Sequence, residues 1–364
     1  MRDYIFSPSF GNKPRNLIGR SNEMRALLEG LSSPPGSKER ARLIIGQRGM
    51  GKTVLLLELA EYAKEHDYIV ASPTVVSADM LDRILEKLGR DEEKKARISG
   101  GSVGILGFSA GIQTEKTAQP TRSFAYQLQD ICDYAEKAGK GVLILVDEVQ
   151  SGSEQLQKLI IAYQEMVGEG HNIAITLAGL PSAIAQTLNE HVLTFLNRAS
   201  KMYLEPISIA EIEISLKESF RKLGIRLSDS EIAKAAEQTG GSPYMMQLIG
   251  HYLVVSASDD GELSPSGYED AITIAKREFI DDICKTTISP LSERDMDFLL
   301  AMSTDEAETS MKDICDRLEV GSAYANRYKL RLIQSGVIAQ RRRGYVEFAV
   351  PYLKDYLASI SELS

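Results

Sequence analysis

The eight residues Gly46-Gln47-Arg48-Gly49-Met50-Gly51-Lys52-Thr53 constrain this 364-residue chain more than any other stretch. They fit the pattern G-x-x-x-x-G-K-[ST]. They stand between an apolar run, Ala41 to Ile45, and a segment, Thr53 to Glu65, with apolar residues at helical spacing. Strand, glycine-rich turn and helix in that order predict a phosphate-binding loop. Glycines are required because the loop folds back to aim consecutive backbone N–H groups at phosphate oxygens, and a Cβ would block that approach. Lys52 then reaches the β- and γ-phosphates, the Thr53 hydroxyl ligates Mg²⁺, and the helix that runs on through Val54 turns its positive end to the anion.

Phosphate binding alone cleaves nothing, so a second element is needed. Val142 to Val146 is apolar at every residue, as the middle of a parallel sheet should be, and ends in Asp147-Glu148. Two carboxylates at the tip of a buried strand suit Mg²⁺ binding by Asp147 and proton acceptance from the attacking water by Glu148. Gln150 is placed to help orient that water. No Asn-Lys-x-Asp guanine motif is present, since Asn12-Lys13-Pro14-Arg15 lacks the aspartate. ATP or ADP is the expected nucleotide.

Strand and helix patterns alternate up to about residue 205, predicting a doubly wound α/β domain over 1–205. From Ser208 the pattern is helical only, giving a lid domain over 206–288. Residues 289–364 read as helix, helix, helix and a two-stranded basic tip, the order of a winged helix. The glycine-punctuated stretch from Gly100 to Gly111 reads as an inserted hairpin, either buried or touching DNA or a partner.

A net charge of −9 excludes a surface coated throughout for nucleic acid. Three widely spaced cysteines and four histidines support neither a disulfide framework nor a zinc site. The longest apolar runs, Val142 to Val146 among them, are far short of the roughly 20 residues a spanning helix needs. With no secretory leader pattern at Met1 and no membrane role, the expected location is the cytoplasm.

These motifs resemble the AAA+ P-loop ATPases, in the branch shared by archaeal origin-recognition initiators and STAND signalling ATPases. Leu17 to Glu23 looks like the family segment whose Gly19 and Arg20 would line the adenine pocket. Gly46 to Thr53 looks like Walker A and Leu143 to Glu148 like Walker B. The resemblance implies a sensor on the strand Ile175 to Ala178, with Thr176 or Ser182 as the polar candidate, and an arginine finger at Arg198, completing the site of a neighbouring subunit. Gly240-Gly241-Ser242-Pro243-Tyr244 looks like the second sensor region, but Tyr244 stands where the family commonly has arginine. Closure would then rely on packing, and hydrolysis would be slow.

The segment Met311 to Asp355 carries nine basic and five acidic residues in an otherwise acidic chain. Arg327 and Arg331 are four apart on one helix face, with Lys329 on the same helix. Arg341, Arg342 and Arg343 would sit on the wing. The arrangement suits a helix in the major groove of duplex DNA with wing arginines on phosphates, although winged helices also dock proteins. The sequence therefore predicts an ATPase whose ATP-dependent assembly into a homo-oligomer is coupled to DNA binding. The alternative is a STAND-like switch that recruits a protein effector with little turnover.

Overall fold

A computed structural model describes residues 5–8, 18–98 and 122–361 of the chain, and the Gly100 to Gly111 stretch lies outside them. The first part runs α1 (Ser21–Ser32), β1 (Ala41–Ile45), α2 (Lys52–Glu65), β2 (Tyr68–Val75), α3 (Met80–Ile98) and α4 (Phe124–Lys137). It continues with β3 (Gly141–Asp147), α5 (Glu154–Gly168), β4 (Ile173–Gly179), α6 (Pro181–Leu188) and β5 (Ser200–Tyr203). The five strands form one parallel sheet in the order β2-β3-β4-β1-β5.

Every residue of β1, β3 and β4 is buried, which is why these strands read as unbroken apolar runs. Alternate side chains enter separate cores. Leu43, Ile144 and Ile175 join α3, α4 and α5 on one face, while Ile44, Leu143 and Leu145 join α1 and α2 on the other. Each fully buried Leu or Ile contributes about 1.5–3 kcal/mol. Because the strands are parallel, their C-terminal ends open on one edge. β1 leaves the sheet order there, with β4 on one side and β5 on the other. A ligand crevice forms at such a switch point.

The lid comprises α7 (Ile209–Leu223), α8 (Asp229–Gln238), α9 (Pro243–Ser256), α10 (Pro265–Phe279), a π-helical segment (Ile280–Cys284) and α11 (Lys285–Ile288). The terminal module has α12 (Glu293–Ser303), β6 (Thr309–Ser310), α13 (Met311–Leu318), α14 (Ser322–Ser335), β7 (Ile338–Ala339), β8 (Tyr345–Phe348) and α15 (Leu353–Ser361). Its strands make a small antiparallel sheet in the order β6-β8-β7.

Two boundaries differ from the sequence reading. Lid and terminal module share one continuous core that includes Phe220, Leu253, Phe279, Phe298, Leu332 and Leu357, so residue 289 is no break in packing. The Tyr352 ring meets Phe279 edge-on at 6.0 Å, and its hydroxyl donates to the Gln238 carbonyl. Ile5 and Phe6 belong to the same core, Phe6 lying 5.6 Å from the Phe220 ring. The first described residues are thus part of the lid, not of the α/β domain. The terminal module also reaches back, since α14 packs against α6.

Candidate active site

The loop after β1 is held in a shape that only glycine permits. Gly49 and Gly51 have φ of +76° and +83°, and a Cβ on Gly46 would come within 3.1 Å of Leu204 Cβ. Gly51 caps the N-terminus of α2, so the helix begins at Lys52 and directs its positive end into the loop. Lys52 Nζ donates to the carbonyls of Gly46 and Gln47, both at 2.8 Å. Burial pushes its ammonium down to about 8, against the pull of nearby Asp147.

β3 delivers Asp147 beside the start of α2. The Thr53 hydroxyl donates to Asp147 Oδ2 at 2.5 Å, and the other carboxylate oxygen accepts the Glu148 N–H at 2.9 Å. Asp147 is buried, whereas Glu148 is exposed and has φ of +51°, a left-handed conformation costly for a side-chain-bearing residue. The turn therefore separates two roles: Asp147 is pinned by donors and Glu148 faces the cleft. A hydroxyl and a carboxylate in contact are hard oxygen ligands suited to Mg²⁺, and the open cradle with its buried lysine suits phosphates.

A cleft of about 560 Å³ runs from this loop to the lid. Arg48, Gly49, Met50, Gly51, Lys52, Thr53 and Val54 line it, together with Asp147, Glu148 and Gln150. Arg20 lines it too, buried, donating to the Met50 carbonyl at 3.3 Å and paired with Glu23 at 2.8 Å. The apolar end is formed by Pro8, Ile18 and Ile207, and the lid contributes Pro243, Tyr244, Met246, Gln247, Asp281 and Asp282. Burial, and then the Asp282 carboxylate that its hydroxyl contacts at 2.6 Å, keep the Tyr244 phenol protonated. Sequence reasoning missed Pro8, Gln247, Asp281 and Asp282, because each reaches the cleft only through tertiary packing. The proline at the first turn of α9 was a local signal for a helix N-terminus at the site.

Several sequence-nominated residues lie elsewhere. Gly19 is off the cleft wall, and its φ of +61° and the 2.4 Å approach of Ile207 Cγ2 to a hypothetical Cβ make it a packing glycine. Gly46 and Gln47 support the cleft through their carbonyls rather than lining it. Thr176 is buried in the middle of β4, opposite Arg42 and Leu145, so it cannot report on phosphate. The strand end that faces the cleft carries Gly179 and Leu180. Arg198 is exposed at the end of the 3₁₀ segment His191–Arg198 and does not line its own chain's cleft.

The basic residues of the terminal module divide in two. Arg331 is spent inside the module: Nε donates to buried Asp295 at 2.8 Å and Nη2 to Ser292 at 2.8 Å. Arg341 pairs with Glu347, and Arg342 pairs with Glu308 at 2.9 Å while its guanidinium lies 3.5 Å from the Tyr345 ring centre. Arg327 and Arg343 are exposed and Lys329 is half-buried on α14. The neutralising partners come from α12, from β8 and from the residue before β6, which a count of charge along the chain does not reveal.

Fold and site together define a P-loop ATPase of the AAA+ type. Residues 16–175 match the family described as AAA ATPase domain, and this part of the chain is such a domain. Residues 281–357 match a domain of unknown function (DUF8462). A search of curated proteins finds no match. Among solved structures, a Walker-type ATPase of Pyrococcus abyssi superposes with a TM-score of 0.70 at 18% identity, covering 96% of this chain and 99% of that one. The ORC2 protein of Aeropyrum pernix, solved as ADPNP–ADP complexes, gives 0.65 at 17% identity over 98% of each chain. Cdc6p of Pyrobaculum aerophilum gives 0.52 at 15% identity, covering 98% and 96%. At these identities the likeness is one of fold.

Proposed function

We propose that this chain is a cytosolic Mg²⁺-dependent ATPase switch. It binds ATP between the α/β domain and the lid, hydrolyses it slowly, and couples the nucleotide state to self-assembly and to duplex-DNA binding by its terminal module. The observation that carries the nucleotide reading is the Thr53–Asp147 hydrogen bond set beside Lys52 and Glu148. Thr53 and Asp147 would hold Mg²⁺, which supplies positive charge to the phosphate oxygens. Glu148, exposed at the cleft, accepts the proton of an attacking water. Slow turnover follows from the residues around it, because the β4 end offers Gly179 and Leu180 and, among the described residues, the lid lines the cleft with no arginine or lysine. The complexes reported for the Aeropyrum pernix protein support an adenine nucleotide.

For DNA, we read the terminal module as a winged helix with Arg327, Lys329 and Arg343 as the phosphate contacts. Arg198 is read as the finger of a neighbouring copy, a role that raises rates by about 10³–10⁵ where it operates. Its test is Arg198→Ala, which should abolish the assembly-dependent part of turnover. A second reading, a switch that recruits a protein effector, is favoured by the engagement of Arg331, Arg341 and Arg342 within the chain.

One experiment separates the two. ATPase rate and particle mass are measured with and without duplex DNA, for the wild type and Glu148→Gln. DNA-stimulated turnover with particle growth supports the first reading. A monomer indifferent to DNA removes it and leaves the second.

A further inference from the structure

The lid wall of the cleft is acidic. It contributes Asp281 and Asp282, and among the described lining residues from the lid there is no lysine or arginine. Asp281 is paired with Lys285 at 2.7 Å. Asp282 instead accepts a hydrogen bond from the Tyr244 hydroxyl at 2.6 Å, a contact that holds the carboxylate without cancelling its charge. No cation is paired with Asp282 among the described residues.

Two sets of contacts tie the residues around this carboxylate to the phosphate loop. The Tyr244 N–H donates to the Gly49 carbonyl at 3.2 Å, and a Cβ on Gly49 would lie 3.1 Å from Tyr244 Cβ and 3.7 Å from Ile283 Cδ1. The hydrogen-bond partner of Asp282 and its chain neighbour therefore both rest on the phosphate loop. The backbone is also adapted to the purpose. In a regular α-helix successive residues point about 100° apart, yet Asp281, Asp282 and Ile283 all line the cleft. They sit in the five-residue π-helical segment, a form concentrated at functional positions.

We propose that Asp282 sets the nucleotide preference of the closed cleft, favouring a nucleoside diphosphate over the triphosphate. A carboxylate beside the loop repels the added charge of a γ-phosphate more strongly in a confined site than in water. A diphosphate lacks the group that would be repelled. The lid then closes over ADP and is held off by ATP, the inverse of a lid that clamps the γ-phosphate with an arginine. This rests on reading the cleft as an ATP site.

The test is calorimetric titration with ADP and with a non-hydrolysable ATP analogue, both with Mg²⁺, on wild type, Asp282→Asn and Tyr244→Phe. The wild type is expected to bind ADP at least ~10-fold more tightly, and Asp282→Asn to cut that preference at least ~5-fold by tightening the analogue. Tyr244→Phe keeps the charge and should keep a preference for ADP. Asp282→Ser gives a second neutral variant should the amide fold poorly. Equal binding of both ligands by the wild type, or an unchanged preference in the neutral variants, overturns the proposal while leaving the ATP site intact. Binding of neither ligand by the wild type overturns the site itself.

Discussion

The Gln47 side chain occupies the position where a Cβ on Gly336 would stand, 1.2 Å from its Nε2. Gln47 is the second residue of the phosphate loop, and its carbonyl accepts from Lys52 Nζ at 2.8 Å. Gly336 caps the C-terminus of α14. One residue thus touches the phosphate-binding lysine with its backbone and the terminal module with its side chain.

Gly336→Ala should loosen that docking. The cap has φ of +70°, which costs an alanine roughly 1–2 kcal/mol, and the new methyl must also displace Gln47. Adding Gln47→Ala should recover the steric part and not the backbone part. Urea melts of both single variants and the double variant read this directly, and simply additive losses would refute the contact.

Lys52 predicts two opposite pH slopes. With its ammonium pushed down to about 8, the free protein loses that charge as pH rises through 8, while bound phosphates favour the charged form. Nucleotide affinity should be flat below about pH 7 and fall above 8, approaching roughly tenfold per pH unit. Stability of the free protein runs the other way. The folded value is depressed, so the unfolded chain binds more protons between about 8 and its own value near 10.4, and stability rises with pH across that window. Titrations and melts from pH 6.5 to 9.5 (roughly the span that brackets the transition) check both, and Lys52→Met should flatten them.

Glu148→Gln should lower single-turnover hydrolysis by about 10²–10⁴ while nucleotide affinity stays within a few-fold. Glu148→Gly removes the carboxylate and also relieves the positive φ, so it should be equally slow yet more stable by roughly 1 kcal/mol. A glycine variant that retained full turnover would move the proton acceptor elsewhere.

Arg331 and Arg343 should separate structure from binding. Arg331→Ala leaves buried Asp295 without its guanidinium and should cost about 1–3 kcal/mol in stability. Arg343→Ala should leave the melting temperature unchanged, weaken DNA binding and reduce the salt dependence by about one counterion. Melting curves and DNA titrations over a salt series distinguish them. A loss of DNA affinity larger for Arg331→Ala at equal folded fraction would reverse the assignment.

Sequence by itself determined the phosphate loop, the Asp147-Glu148 strand tip and the strands that carry them. Those features are local: glycine spacing sets the loop backbone, and strands buried on both faces must be apolar at every residue. It also foretold the change to helices after Ser208 and the order of helices before the two-stranded tip. Tertiary structure alone decided which polar groups reach the cleft. Asp282 and Gln247 come from the lid through a π-helical segment and a neighbouring helix, while Thr176 is withdrawn into mid-strand by the register of β4 with β1 and β3. It decided the charge of the terminal module as well, because Arg331 and Asp295 are 36 residues apart and meet only when α14 packs on α12. Local geometry is written in neighbouring residues; pairing across long separations depends on how the elements pack.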